Sequence, residues 1–175
     1  MAKTGDRMEM PDGSVYEITS STADNDGEFV EMVFTLPAGS VAPPPHVHAT
    51  PVEEYEVLEG KLDVMVGGDW KTLGPGDTAS VPTGVLHTFK NRSGATVLVR
   101  NVHGPAARFE DYIEHICTLT RSRGIKSAMD PRIPIYLSMI TLQYPETLAP
   151  ARARERIPMT ALAGVGRLLR FSTVP

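Results

Sequence analysis

The sequence predicts an all-β barrel over residues 1–104, followed by a C-terminal α-helical extension over residues 105–175. Short runs in which apolar and polar residues alternate fill the first part of the chain, and turn residues rather than helices separate them. Beyond Gly104 the spacing of the apolar residues changes from two to about 3.6. We therefore expect a sandwich or barrel of many short strands, with helices appended to it.

The strand candidates follow one another at short intervals. They cover residues 14–19, 28–36, 53–58, 61–66, 78–81, 86–90 and 95–102. Segments rich in glycine and proline lie between them, as expected for tight turns. Gly67-Gly68 lies between two apolar runs and predicts a two-residue hairpin turn with positive φ angles.

Three helix candidates make up the extension. The first covers residues 106–122, and Gly124 is placed to end it. Its apolar residues at helical spacing are Phe109, Tyr112, Ile113, Ile116 and Leu119. Asp130-Pro131 predicts the start of the second, which runs through IPIYLSMITLQY to a break at Pro145. The third is MTALAGVGRLLRF.

Three interpretations of this extension are open. The helices cover an opening of the barrel or pack on its outside, or they form a homodimer interface, since IPIYLSMITLQY is apolar almost all round and must be buried. In the third interpretation, the last helix contacts a membrane surface through an apolar face flanked by Arg167 and Arg170. We expect a homodimer and no membrane partner.

Composition narrows the class of protein. The net charge of -4 argues against a nucleic-acid partner, whose binding proteins are usually basic. The single cysteine, Cys117, cannot form an internal disulfide, and the first residues lack the apolar core of a secretory signal. No run reaches the roughly 18 apolar residues of a membrane span. These features favour a cytoplasmic location.

The histidine pattern indicates a metal site. His46 and His48 lie one residue apart and so share one face of a strand. Glu53 shares its strand face with apolar residues, where a carboxylate without a positive partner is costly. His87 adds a third imidazole. Three imidazoles and one carboxylate suit a divalent first-row metal ion and leave coordination positions open for water or substrate.

Two motifs resemble those of the cupin superfamily, specifically its small, quercetinase-like, single-domain bacterial members. The first motif consists of Gly39, His46-Val47-His48, Glu53 and Gly60, and the second of Gly76, Pro82-Thr83-Gly84, His87 and Asn91. Six residues, including Pro43-Pro44-Pro45, lie between Gly39 and His46 where the family pattern has five. The resemblance covers roughly residues 14–103 and implies a jelly-roll β-barrel.

The resemblance also implies roles for individual residues. His46, His48, Glu53 and His87 would hold one divalent transition metal ion per chain, and iron, manganese, nickel, cobalt, copper and zinc all suit such a site. Glu53, if it partly dissociates from the ion, would be the catalytic general base. Asn91 and the motif glycines would be structural.

Alternation along the strands predicts the interior surface around this site. The predicted pocket residues are Tyr55, Phe89, Val57, Met32, Phe34, Leu62, Val64 and Arg100. Arg100, on a face with Leu98 and Val102, is the main cation candidate. The alternation is equally compatible with Tyr55 and Phe89 lying in the barrel core without lining a pocket. Because this interior is largely apolar, we expect a small apolar or aromatic ligand that carries one or two oxygen atoms.

Three further residues receive structural interpretations. His103 ends the last predicted barrel strand and is interpreted as an edge histidine, with an approach to the site as the alternative. His115 is expected at a solvated position on the first helix. Cys117 is interpreted as a small packing residue, because nothing basic beside it would lower its pKa.

The expected function is that of a metal-dependent enzyme, and the resemblance suggests a dioxygenase. A polyketide-cyclase-like or isomerase-like role would use the same site without oxygen, with the metal polarising a carbonyl group. A different class also stays open: a small-molecule binding or sensing protein without turnover. No helix-turn-helix pattern supports a DNA-linked form of that class.

Overall fold

Two antiparallel sheets build the first two thirds of the protein. A computed structural model describes residues 2–150, 154 and 156–174. The strands are β1 (Arg7–Glu9), β2 (Val15–Ser20), β3 (Val30–Leu36), β4 (His46–Val47), β5 (Val52–Glu59), β6 (Leu62–Val66), β7 (Asp69–Leu73), β8 (Thr78–Val81), β9 (His87–Lys90), β10 (Val97–Gly104) and β11 (Ala149–Pro150). One sheet has the order β1-β2-β3-β10-β5-β8 and the other β11-β4-β9-β6-β7. This architecture confirms the predicted all-β jelly-roll class.

The core lies between the sheets because alternate side chains of each long strand point inward. In β3, Val30, Met32, Phe34 and Leu36 are buried while the residues between them are partly exposed. In β10 the buried positions are Val97, Val99, Asn101 and His103. β10 is hydrogen-bonded to β3 on one side and to β5 on the other, so it lies in the middle of its sheet.

Glycines allow one tight turn and one close backbone approach in the barrel. Gly67 and Gly68, with φ angles of +65° and +107°, connect β6 to β7 in the predicted hairpin. Gly60 has a φ of +82°, and a Cβ atom added there would lie 2.9 Å from the carbonyl oxygen of Thr96. A larger residue at position 60 would therefore force the two backbones apart.

Three helices follow the barrel: α1 (Phe109–Ser122), α2 (Ile133–Thr141) and α3 (Arg156–Leu168). The buried face of α1 joins the same apolar core as the barrel strands. α2 begins at Ile133, later than predicted. Asp130 lies in the turn before the helix, where its carbonyl oxygen accepts a hydrogen bond from the amide of Ile133. α2 also ends at Thr141, short of Pro145.

The chain returns to the barrel after α2. β11 pairs with β4, the strand that carries His46. α3 packs on α2 at Gly166, where an added Cβ would lie 2.5 Å from Met139 Sδ. Several apolar side chains of α3, including Ile157 and Leu168, are exposed. The homodimer stays a prediction. Among the described residues, no helix is both long and apolar enough to cross a bilayer.

Candidate metal centre

The four predicted ligand residues come together at one end of the barrel interior. We call His46, His48, Glu53 and His87 the ligand cluster. His46 lies in β4 and His48 directly follows that strand, while Glu53 lies in β5 and His87 in β9. Antiparallel pairing places His46 directly opposite His87. Glu53 Oε2 lies 2.9 Å from His87 Nε2 and 3.4 Å from His48 Nε2. All four residues are buried.

Hydrogen bonds fix the orientation of all three imidazoles in the ligand cluster. In each ring Nδ1 lies within hydrogen-bond distance of a backbone carbonyl oxygen. The bonds run from His46 to Pro44 (2.9 Å), from His87 to Val85 (2.9 Å) and from His48 to Thr147 (2.6 Å). A carbonyl oxygen only accepts, so Nδ1 carries the hydrogen and donates in every case. In a neutral ring each Nε2 therefore carries a lone pair, as metal-binding histidines require, and that of His48 lies 3.3 Å from His103 Nε2.

Two atoms of the ligand cluster are left without a hydrogen bond. Glu53 Oε2 and His87 Nε2 are buried and form no hydrogen bond with any described residue, although they lie close to each other. An unsatisfied buried polar atom costs about 1–3 kcal/mol, and more when the group is charged. Ligands in neighbouring positions around an ion with bonds of ~2.1 Å lie about 3 Å apart. The observed separations therefore fit a divalent transition metal ion.

Burial and neighbouring charges set the protonation states. Burial, with smaller effects from His87 and His48, lowers the pKa of His46 to about 3. Burial raises the pKa of Glu53, but His103, His48 and His87 outweigh it and hold that pKa well below its usual range. Burial also acts to lower the pKa of His87, while Glu53 raises it, with a net increase. Neutral imidazole at His46 and ionised carboxylate at Glu53 are the forms that bind metal.

Two residues of β10 adjoin the ligand cluster: Asn101, which the sequence does not predict there, and His103, whose approach to the site is the alternative interpretation above. Asn101 Nδ2 donates to Glu53 Oε1 at 2.9 Å and so holds the carboxylate. His103 is only 1% exposed, and its Nε2 lies 3.4 Å from Glu53 Oε1 and 3.3 Å from His48 Nε2. The interpretation of His103 as an edge histidine is therefore wrong.

Arg100 lies on the opposite face of β10, away from the barrel interior. Its guanidinium bonds Glu31 Oε2 from Nε at 2.8 Å and Glu56 Oε2 from Nη1 at 3.3 Å, and its side chain is 40% exposed. The expectation that Arg100 lines the pocket is corrected: the inward face of this strand carries Asn101 and His103 instead. One error of strand phase accounts for both Arg100 and His103.

Sequence comparison agrees with the fold. Residues 32–102 match the family model of the cupin domain. An uncharacterized protein of Aquifex aeolicus (strain VF5) is 31% identical over 88 residues, which are 50% of this chain and 70% of that protein. The chain is a cupin.

Two further similarities show how far this relationship extends. Quercetin 2,3-dioxygenase of Bacillus subtilis (strain 168) is 36% identical to this cupin over 73 residues, 42% of the chain but only 22% of that enzyme. The crystal structure of an RmlC-like cupin from Shewanella frigidimarina NCIMB 400 aligns with a TM-score of 0.53 at 20% identity, over 61% of this chain and 88% of that one. The structural match supports the fold alone.

Most of the predicted pocket residues lie in the apolar core. Seven of them are buried and belong to one apolar core: Met32, Phe34, Tyr55, Val57, Leu62, Val64 and Phe89. The ring centroids of Tyr55 and Phe89 are 5.9 Å apart, and those of Phe34 and Phe89 are 6.3 Å apart. In this cupin the barrel interior is therefore aromatic and aliphatic.

Residues outside the matched cupin domain cover the metal centre. The ring of Phe109, the first residue of α1, stacks on His103 with centroids 3.5 Å apart. Phe109 also contacts His48 edge to face at 5.8 Å. Thr147, just before β11, supplies the carbonyl oxygen that His48 binds. No local sequence signal marks Thr147, because it and His48 are distant along the chain.

His115 and Cys117 lie apart from the ligand cluster. His115 is half-buried rather than solvated: its Nε2 donates to the carbonyl oxygen of Thr173 at 2.6 Å, and its Nδ1 lies 3.2 Å from the hydroxyl of Tyr144. Cys117 is buried in the core beside Met10.

Proposed function

We propose that this cupin is a metal-dependent enzyme of the dioxygenase type that acts on a small aromatic or apolar compound bearing oxygen atoms. One observation carries the proposal: three imidazoles whose Nδ1 atoms are held by backbone carbonyl oxygens and one ionised carboxylate lie close together in a buried position. His46, His48, Glu53 and His87 would hold one divalent ion of iron, manganese, nickel, cobalt, copper or zinc. When bound, such an ion supplies a Lewis acid that binds a substrate oxygen and supports oxygen chemistry.

The chain's own residues would provide a proton acceptor and an apolar surrounding. The two oxygens of Glu53 have different environments, because Asn101 donates to Oε1 while Oε2 faces His87 and His48. Glu53 could thus accept a hydroxyl proton from a substrate on one oxygen while the other keeps its place. Phe109 would exclude water from the reacting atoms, which strengthens electrostatic interactions in the site.

Substrate class follows from the same surroundings. The Bacillus subtilis relative acts, by its name, on quercetin, a polyphenol, and the aromatic and aliphatic side chains around the ligand cluster here suit a compound of that kind. Since the ligand cluster is closed over by Phe109, a substrate would enter only when α1 or the segment before β11 moves. Such opening is typical of enzymes that close over their substrates.

The same closure favours a second candidate function. Every residue of the ligand cluster is at most 7% exposed, so a metal-bearing protein that binds a small molecule without turnover would also fit. This candidate and the enzyme differ in one observable, the formation of product.

The experiment measures oxygen uptake and product together. The untagged protein, loaded in turn with Fe²⁺, Mn²⁺, Ni²⁺, Co²⁺, Cu²⁺ and Zn²⁺, is incubated with quercetin, with other flavonols and with a β-diketone. We expect oxygen consumption matched by product with at least one metal, and its loss in the His46→Ala/His48→Ala variant. Saturable binding without product would move the assignment to the binding protein, and neither binding nor product would contradict both candidates.

A further inference from the structure

A fourth imidazole faces the ligand cluster from β10. His103 Nε2 lies 3.3 Å from His48 Nε2 and 3.4 Å from Glu53 Oε1. These separations match those of neighbouring ligands around one ion, which lie about 3 Å apart for bonds of ~2.1 Å. Two groups of three residues share His48, and within each group the potential ligand atoms lie within 4.8 Å of one another. The first group is His46, His48 and His87, and the second is His48, Glu53 and His103.

The two oxygens of Glu53 connect these groups. Oε2 faces His87 and His48, whereas Oε1 faces His103. His48 Nε2 has a single lone pair, because Nδ1 carries its hydrogen, and it can bind only one ion. Because His48 can serve only one ion, both groups can be filled together only by one ion that lies between them, in a single centre of five side chains.

His103 is also held in place as a ligand would be. It is buried, and Phe109 packs flat against its ring with an interplanar angle of 16°. Such packing restricts rotation of the imidazole and keeps Nε2 directed toward Glu53 and His48. Neither cupin motif contains this residue, which follows the matched domain.

We propose that His103 is a fifth protein ligand of the metal centre. Four imidazoles and one carboxylate would then hold the ion, and a six-coordinate ion would keep one position for a ligand from solution. The inference rests on the metal dependence in the proposed function and deepens it. With a single open position, substrate and dioxygen cannot both bind the ion unless a protein ligand leaves.

The alternative is that His103 only hydrogen-bonds His48 and lies beside Glu53, and never contacts the ion. The His103→Gln variant distinguishes the two roles, since glutamine keeps a hydrogen-bond donor but supplies no imidazole. His115→Gln is the matched control, because His115 is the one histidine outside this centre.

The test loads the untagged full chain with Co²⁺ and counts coordinated imidazoles by X-ray absorption spectroscopy. We expect four in the wild type and in His115→Gln, and three in His103→Gln, with a Co²⁺ dissociation constant raised at least about tenfold. Three in the wild type, or an unchanged count in His103→Gln, would overturn the fifth ligand and leave the proposed function standing. Failure of the wild type to bind Co²⁺ or any other divalent ion would overturn both.

The wild-type count tests the inference even if His103→Gln does not fold. Loading the wild type with Cu²⁺ and measuring electron spin echo modulation from the remote imidazole nitrogens gives a second, independent count. Modulation that requires no more than three imidazoles would contradict the fifth ligand.

Discussion

His48 donates a hydrogen bond from Nδ1 to the carbonyl oxygen of Thr147, 2.6 Å away and 99 residues further along the chain. Thr147 is itself fully buried, and its hydroxyl donates to the carbonyl oxygen of Ala107. Immediately after it, β11 pairs with β4 beside His46. The orientation of a predicted metal ligand thus depends on a segment that lies outside the matched cupin domain.

Metal binding should therefore slow hydrogen exchange in residues 147–149. If opening of this segment releases His48 and the ion with it, metal at a hundred times its dissociation constant should add about 2.7 kcal/mol to the cost of opening. Exchange would then slow by about a hundredfold, measured by mass spectrometry on apo and metal-loaded protein. β7, in the exposed hairpin, serves as the internal control and should change little. Equal slowing in both segments, or none at 147–149, would show that the segment is not coupled to the site.

Asn101 should tune the metal site while Asn91 should not, although both are buried. Asn101→Leu removes the donor to Glu53 Oε1 and leaves a buried carboxylate oxygen short of a partner. We expect the metal dissociation constant to rise by about tenfold or more. Asn91 bonds only backbone carbonyl oxygens and Ser93, so Asn91→Leu should lower the unfolding free energy without changing metal affinity. Titration calorimetry and urea unfolding check both variants, and equal metal affinities would remove the role assigned to Asn101.

Arg100→Gln should have little effect on the metal site or on stability. The guanidinium lies on the outer face between Glu31 and Glu56, and such partly exposed ion pairs contribute about 0–1 kcal/mol. We expect unchanged metal content and a change in unfolding free energy within about 1 kcal/mol. A loss of metal or of ligand binding would show that Arg100 does face the barrel interior.

Cys117 should be unreactive in the folded protein. Burial is the main cause that raises the pKa of its thiol to about 12. Alkylation by iodoacetamide at pH 8 should be slow in buffer and fast in urea. The pKa of a thiol in the unfolded chain is ~8.5. Because the folded pKa is higher, the thiol contributes stability that is fully present below pH ~8.5, and this contribution falls by roughly 1.4 kcal/mol per pH unit above pH ~8.5.

The Cys117→Ala variant isolates this pH effect. Between pH 8 and pH 10 its unfolding free energy should decrease less than that of the wild type, whatever the stability of the variant at pH 8. Parallel decreases in the two proteins would mean that the thiol ionises as readily in the folded state as in the unfolded one.

The ligand cluster could be predicted from the sequence because its residues lie in short motifs on alternating strands. The same reasoning failed on β10 for a physical reason. Leu98 and Val102 are apolar on one face, and Val97 and Val99 are apolar on the other. In a central strand paired on both sides, such a pattern does not show which face is buried. Asn101 is therefore not predicted at the site, His103 is placed there only as an alternative, and Arg100 is predicted inside.

The contacts of the extension could not be predicted, because they join distant parts of the chain through the backbone. The carbonyl oxygen of Thr147 is common to every residue type and leaves no signal in the sequence. The strand β7 was missed for a different reason. Four of its five residues are exposed, so it lacks the alternation that marks a half-buried strand.

The most direct test of the central claim is elemental analysis of the protein made without a histidine tag, beside its His46→Ala/His48→Ala variant. We expect about one divalent transition metal ion per chain in the wild type and almost none in the variant. Equal unfolding cooperativity of the two apoproteins would show that the loss is local to the site. A wild-type protein that holds no stoichiometric metal and cannot be loaded with any divalent ion would contradict the account.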